Sequence, residues 1–539
     1  MRESQLFVCA QIAATAFVLC ASASPGVARP GTTTAVRTEM VRITGVARPM
    51  PLGSTVVDEH DTQLGQGKKP TCKLSPDKLV APAAVASDDK VGGTATSFVG
   101  VKADGVFVYI PDSENCKTTK KITWEEYWTI LESQDAVNFG ALTIDGSVEI
   151  EGLQRSRRAN LGNGTRPAKA SAPNIFIVSL ANSKTNSDSA ILVAAAKFKN
   201  PKKLTWNMFR IQLTHVADGG HFCTPSSTAS VSTPVVGSTP AGRLFVAFNS
   251  LDGFTTYGSV LDFDSQSLRN GTAVAKCFTG EDTKNLVPPN VFDKNRTAYF
   301  VGISTLVSIS RFSLKVEKHQ DVADDDLVAT PDINIPFFNF NPAAVQPNGF
   351  HLYSGDFAFH APSVQIGKSL WNVHQIGDDG GHEKVRLYKL DAAATDPLML
   401  QTLSTLGDQS DDTFAPSVAT DSDLPGTEAF VTFSRTIVND SVKGNATLMM
   451  ARGPNDSATG WTSTILAKSK GQFDKNIAGQ PCDSFQYGGC AFGPHSGTKI
   501  DTANNLVWGW GELITDGDLG IGGQGNEVNW LVEGVGIPR

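Results

Sequence analysis

A chain of 539 residues, 40% of them hydrophobic and carrying a formal charge of -8, has material for a large packed core and is too apolar to be disordered along most of its length. The acidity is mild and dispersed and leaves no basic stripe for nucleic acid; the densest basic group, Arg155, Arg157 and Arg158, reads as a solvated loop. At this size an all-β chain still forms one unit.

In chain order, Arg2 precedes an apolar run from Leu6 to Leu19, and Ala21-Ser22-Ala23 supplies small residues at the spacing of a cleavage site. Residues 1–23 are therefore expected as a signal peptide and the mature chain as secreted. The run is too short to span a bilayer and none of sufficient length follows, so no membrane span is expected. Residues 24–79, rich in Pro, Gly and Thr, read as a flexible linker or pro-region.

From residue 80 to 539 a single β domain is expected. The first strands are Ser97–Val101 and Val106–Ile110, turned by Asp104-Gly105. One short peripheral helix follows, capped by Thr123 with Glu126 three residues on, and with Trp124, Tyr127, Trp128 and Leu131 at helical spacing. Beyond it, apolar strands recur with turn punctuation, among them Ile175–Leu180, Ala190–Phe198, Arg243–Asn249, Ala298–Ile303, Ser369–Ile376, Val385–Leu390, Ala429–Arg435 and Leu506–Trp510. Many are continuously apolar, as strands covered on both faces are. Four-stranded sheets set radially give that environment and leave short edges, so the expected fold is an all-β, six- or seven-bladed β-propeller.

Without the signal segment six cysteines remain, Cys72, Cys116, Cys223, Cys277, Cys482 and Cys490, which in an oxidising compartment implies three disulfides; neighbour pairing is expected. Sequons at Asn163, Asn270, Asn295, Asn439, Asn445 and Asn455 point to a secreted glycoprotein. No zinc-type Cys spacing occurs and no cofactor is expected. The acidic turns at Asp321–Asp326, Asp408–Asp412 and Asp516–Asp518 are the places where Ca²⁺ would find oxygen ligands, with solvated turns the plainer reading.

Candidate ligand-binding residues are few. Arg386 and Tyr388 lie two apart on one strand and hence on one face, with His374 in the preceding strand. Arg435 ends a strand, as Arg311 and Arg452 do, where a propeller opens to ligands. Trp371 and Trp508 are candidate sugar platforms. Each has a structural alternative: a cross-strand pair, a carboxylate partner, or the core.

The order of several segments resembles that of secreted, sialidase-like (BNR-type) β-propellers, many of which have no assigned activity. The matching pieces are the Ala190–Lys197 strand followed by Trp206, the Pro234–Phe248 pair, Leu370–His374, Phe414–Ala419, Val431–Arg435, Phe492–Glu512 and Asn529-Trp530. Where members of that family carry an Asp-aromatic-Ser run after the glycine, Pro494-His495-Ser496 stands here, and a carboxylate role is lost. The resemblance implies a sialidase's needs: clustered arginines, a tyrosine nucleophile with a Glu, and an Asp acid/base. The Arg-Ile-Pro mark of such enzymes is absent, and the nearest copy of their repeated turn, Ser250–Tyr257, has Phe254 in the glycine position.

No catalytic set is assigned. The expected function is extracellular recognition of a polysaccharide, glycoconjugate or surface protein by a monomer. The alternatives are a carbohydrate-active hydrolase or lyase working in the central funnel, and a structural wall or adhesion protein.

Overall fold

The computed structural model describes residues 36–49, the strands between 71 and 197, nearly all of 205–403, 410–437 and 445–469, and the strands between 490 and 539; side chains are described chiefly within 36–45 and 189–469. The regular structure of the described residues is almost entirely strand, joined in antiparallel meanders. The first sheet runs Ala84–Ser87, Thr96–Lys102, Gly105–Asp112, Asn115–Thr123, and the second Leu142–Glu151, Asn174–Ser183, Asp188–Lys197, Thr205–His215. The third is Val235–Thr239, Arg243–Asp252, Thr255–Asp264, Thr272–Gly280, and the fourth Thr297–Thr305, Ser308–Lys315, Leu327–Asn334. The fifth comprises Ser363–Ile366, Ser369–Gly377, Glu383–Asp391 and Met399–Leu403, and the sixth Asp411–Thr420, Glu428–Ile437, Thr447–Pro454 and Thr462–Lys468. The last sheet, Gly497–Asp501, Leu506–Ile514 and Trp530–Pro538, is completed by Thr71–Leu74 from the other end of the chain.

The opening strands of successive sheets pack on one another. Pro289–Val291, bridged to the fourth sheet by Val287 and Val301, also pairs in parallel with Ser363–Ile366. Gly497–Asp501 packs back on Ala84–Ser87, which in turn meets Leu142–Glu151. Apolar clusters fill the spaces between neighbouring sheets: Phe209, Phe263 and Leu244 between the second and third, Phe245 and Phe300 edge-to-face between the third and fourth, and Trp371, Phe433 and Met449 between the fifth and sixth. A strand covered on both sides must be apolar at odd and even positions alike, which explains the unbroken runs.

Several polar groups drawn into these interfaces are paired. Arg243 donates to Asp325 at 3.0 and 2.8 Å, and Asp262 lies 3.5 Å from its Nε. Burial, and then the neighbouring Asp325 carboxyl, hold the Asp262 carboxyl well above the usual range. Arg311 donates to Thr330 and to the carbonyls of Asp391 and Ala394, tying the fourth sheet to the fifth.

One sequence expectation changes. Within the expected linker, Arg37–Thr44 is a strand added to Thr272–Gly280, and Val46–Pro49 pairs with Thr205–Met208 of the sheet beside it. Val41 and Ile43 pack on the core there, an alternation that the Pro/Gly/Thr composition hides. The helix expected after Thr123 lies outside the described residues; Thr123 itself ends a strand. The one α-helix among the described residues is Ser265–Arg269, capped by the Asp264 carboxylate.

Cys223 and Cys277 form a disulfide, as neighbour pairing expects, while the side chains of Cys72, Cys116, Cys482 and Cys490 lie outside the described residues. No helix among the described residues is long and apolar enough to cross a membrane.

Two measurements probe this architecture. The bond between Cys223 and Cys277 spans 54 residues, so replacing both by Ser should lower unfolding free energy by about 4 kcal/mol on loop entropy, read in denaturant titrations. At Gly45, where the chain passes between the two sheets, an added Cβ would sit 2.2 Å from the Phe209 ring. Gly45→Val should release residues 36–49 and make them selectively cleavable in limited proteolysis.

Candidate functional site

Even-numbered residues of the two central strands of the fifth sheet face the fourth sheet. Cross-strand register sets His374 opposite Arg386 and Asn372 opposite Tyr388, so His374, Arg386 and Tyr388 share one face of the sheet. His374 Nδ1 lies 2.8 Å from the Phe357 carbonyl oxygen and Nε2 lies 2.9 Å from the Tyr388 hydroxyl. A carbonyl only accepts, so Nδ1 carries the proton and the Tyr388 hydroxyl donates to Nε2. Arg386 donates to the Pro336 carbonyl at 3.0 Å and lies 5.8 Å from the centroid of the Phe338 ring.

This trio is sealed. Phe338 and Phe359 stand edge-on to the His374 ring at 5.1 and 5.3 Å, and all three polar side chains are buried. Burial pushes the Tyr388 phenol up to about 12, against a smaller opposing pull from Arg386. A nucleophilic phenol needs the reverse shift.

The other candidates are not gathered here. Trp371 faces the sixth sheet from the opposite side of its own strand, fully buried, with its indole N–H donated to the Asn455 carbonyl at 3.0 Å. Trp508 is buried and stacked on Trp510 in the last sheet. Neither presents a ring to a sugar at the surface; an aromatic in a strand covered on both sides is core, and that environment overrides the platform reading. Arg435 is buried in the sixth sheet opposite Thr413, and Arg452 pairs with Glu428.

Four carboxylates of the first two acidic turns are engaged by the protein's own donors. Asp321 caps a 3₁₀ turn and Asp325 holds Arg243. Asp411 pairs with Lys384 at 2.9 Å, and Asp412 with His382. No three His, Cys, Asp or Glu side chains are placed to share a metal ion among the described residues. Asp408, Asp516, Asp518 and His495 lie outside them.

The sequons divide as well. Asn455 is buried and donates its amide to Ser422 O and Thr427 Oγ1 at 2.6 and 2.7 Å; the Asn295 amide donates to the Gly367 carbonyl. Asn270 is exposed just beyond the helix, Asn445 is half-buried, and Asn163 and Asn439 lie outside the described residues.

What the sequence reading missed is the connection that leaves the fourth sheet. In Ile335-Pro336-Phe337-Phe338-Asn339-Phe340, Phe338 turns inward onto His374 while Phe337 and Phe340 stay 58% and 36% exposed. Phe340 leans edge-on against Phe357 at 5.5 Å. Asn339 exchanges backbone hydrogen bonds with Gly377, and its amide donates to Asp379 at 3.0 Å. The available signal was three phenylalanines and an asparagine within four positions of a loop, where aromatic rings are not owed to a core.

The next turn, Gly377–His382, sits against this loop. Asp378 Oδ1 accepts from the amides of Gly380 and His382 at 2.9 and 2.8 Å, fixing the turn. His382 Nδ1 lies 3.2 Å from Asp412 Oδ1, which also accepts the Glu383 amide at 2.8 Å. Burial raises the Asp412 carboxyl, opposed by the amides of Val345 and Glu383 and by His382.

No family model and no curated protein matches this chain. Among solved structures, a glycosyl hydrolase from Bacteroides ovatus aligns at 9% identity over 55% of this chain and 81% of its own, with a TM-score of 0.24. The phage phi92 endosialidase aligns at 8% identity over 87% of this chain and 69% of its own, with a TM-score of 0.36.

Tyr388 makes the sealed centre testable. Its folded value of about 12 lies above the ordinary tyrosine value of 10.0, so its contribution is intact below pH 10 and lost as pH rises through 12, about 3 kcal/mol in all. Tyr388→Phe should flatten that alkaline loss in pH-dependent unfolding, while costing about 1–3 kcal/mol at neutral pH by stranding His374 Nε2.

Proposed function

We propose that the protein is a secreted, sialidase-like β-propeller of seven blades that recognises an extracellular glycan through the 335–340 loop and performs no catalysis on it. The seven-blade reading is supported by the round of opening strands, each packed on the next, and by Thr71–Leu74 joining the final sheet.

One observation carries the binding reading: two phenylalanine rings held out in solvent beside a planar amide and a carboxylate. Sugars present apolar C–H faces rimmed by hydroxyls, and rings next to hydrogen-bonding side chains complement both. The 335–340 loop is fixed underneath by Phe338 and by the Arg386 contact to Pro336, so little order is lost on binding.

A second reading, a hydrolase or lyase, is favoured by the Tyr388 hydroxyl bonded to an imidazole. The burial of that pair and the upward shift of the phenol weigh against it.

A glycan array read beside a hydrolysis assay on the same sugars separates the two. Recognition predicts binding without turnover and at least a tenfold loss in Phe337→Ala/Phe340→Ala, with Tyr388→Phe still binding. Turnover that Tyr388→Phe abolishes establishes the enzyme instead. Expression through a eukaryotic secretory pathway should add a glycan at Asn270, removed by Asn270→Gln, and none at Asn455, as peptide mapping will show.

A further inference from the structure

We infer that the Gly377–His382 turn forms a subsite of hydrogen-bond acceptors beside the aromatic loop, so that the sugar bound there is neutral or amine-bearing rather than acidic. This rests on the glycan reading above.

The imidazole of His382 is oriented by a carboxylate that is itself fully occupied. Asp412, 1% exposed at its side chain, accepts the Glu383 amide on Oδ1 at 2.8 Å, the Val345 amide on Oδ2 at 2.8 Å, and faces His382 Nδ1 at 3.2 Å. Three donors converge on it, so Asp412 is an acceptor and Nδ1 carries the imidazole proton. Nε2 is then a bare lone pair, with no partner among the described residues, on a side chain left 29% exposed. Asp412 is buried between the fifth and sixth sheets, so the ring is positioned from below and open above.

The neighbouring groups have the same polarity. Asp378 spends Oδ1 on its own turn, and exposed Asp379 takes one bond from Asn339. Neither the turn nor the 335–340 loop contains a lysine or arginine. The nearest cations on the strand that follows are committed, Lys384 to Asp411 and Arg386 to the Pro336 carbonyl. A ligand here must supply donors, which hydroxyls and ammonium groups do and carboxylates or sulfates do not. The grip a sialidase uses is the opposite one, arginines around a carboxylate.

The test uses the full chain and three oligosaccharides of equal length, built of glucose, glucosamine or glucuronate, titrated calorimetrically at pH 7.5. The expected result is binding of the neutral or amine-bearing oligomer, with the uronate at least tenfold weaker. His382→Ala should weaken the preferred oligomer about tenfold, the worth of one hydrogen bond, and Asp379→Asn, at an exposed position, should weaken the amine-bearing oligomer selectively. Tightest binding of the uronate, or unchanged affinity in His382→Ala, overturns the inference and leaves the glycan site standing. Binding of none of these oligomers or of any sugar on the array, with no effect of Phe337→Ala/Phe340→Ala, overturns both.

Discussion

The fold depends on an antiparallel pairing four residues long. Thr71–Leu74 lies against Val532–Val535, and through it the two ends of the chain share one sheet. Every other sheet is assembled mainly from residues close in sequence, which form hairpins at low entropic cost. Among the described residues this pairing closes the longest loop of any, and the last sheet would otherwise keep a bare edge on Trp530–Pro538. Because closure cost grows only logarithmically with length, a short ladder can offset it once the intervening sheets have packed.

Sheets packed on both faces leave no solvent for the polar residues of their opening strands. Asp411, Asp412, Thr413 and Ser417 are all buried in a single strand, and the partners they acquire tie sheet to sheet: Lys384, His382, the Val385 amide and Thr498. Such groups are costly if unpaired, so they specify how neighbouring sheets sit. The same requirement produces the open imidazole at His382. Its orientation is a by-product of satisfying Asp412.

Strands and hairpins were legible in the sequence because their signals are local. The Arg386/Tyr388 pair followed from the two-residue period, and His374 joined it through a register that hairpin length sets. The tryptophans misled for a physical reason: sequence shows an aromatic in a strand but not whether a second sheet covers it, and in this architecture both faces are covered. Phe337 and Phe340 were passed over because a loop aromatic gives no periodic signal. The His382–Asp412 contact joins residues 30 apart on different sheets, a distance that no local pattern spans. Composition likewise labelled 24–79 a linker, although Val41 and Ile43 alternate as a strand does.

Residues 37–49 brace two adjacent sheets from outside, turning from one edge to the other at a glycine wedged against Phe209. Glu39 accepts the Cys223 amide, so the brace also reaches the crosslinked loop. Trimming the amino terminus is therefore a different operation on either side of Val36. A purification handle placed ahead of that point leaves the brace seated, whereas a cut made at residue 80 strips it away together with the strand that shuts the ring, and sets free three raw ladders able to recruit other chains.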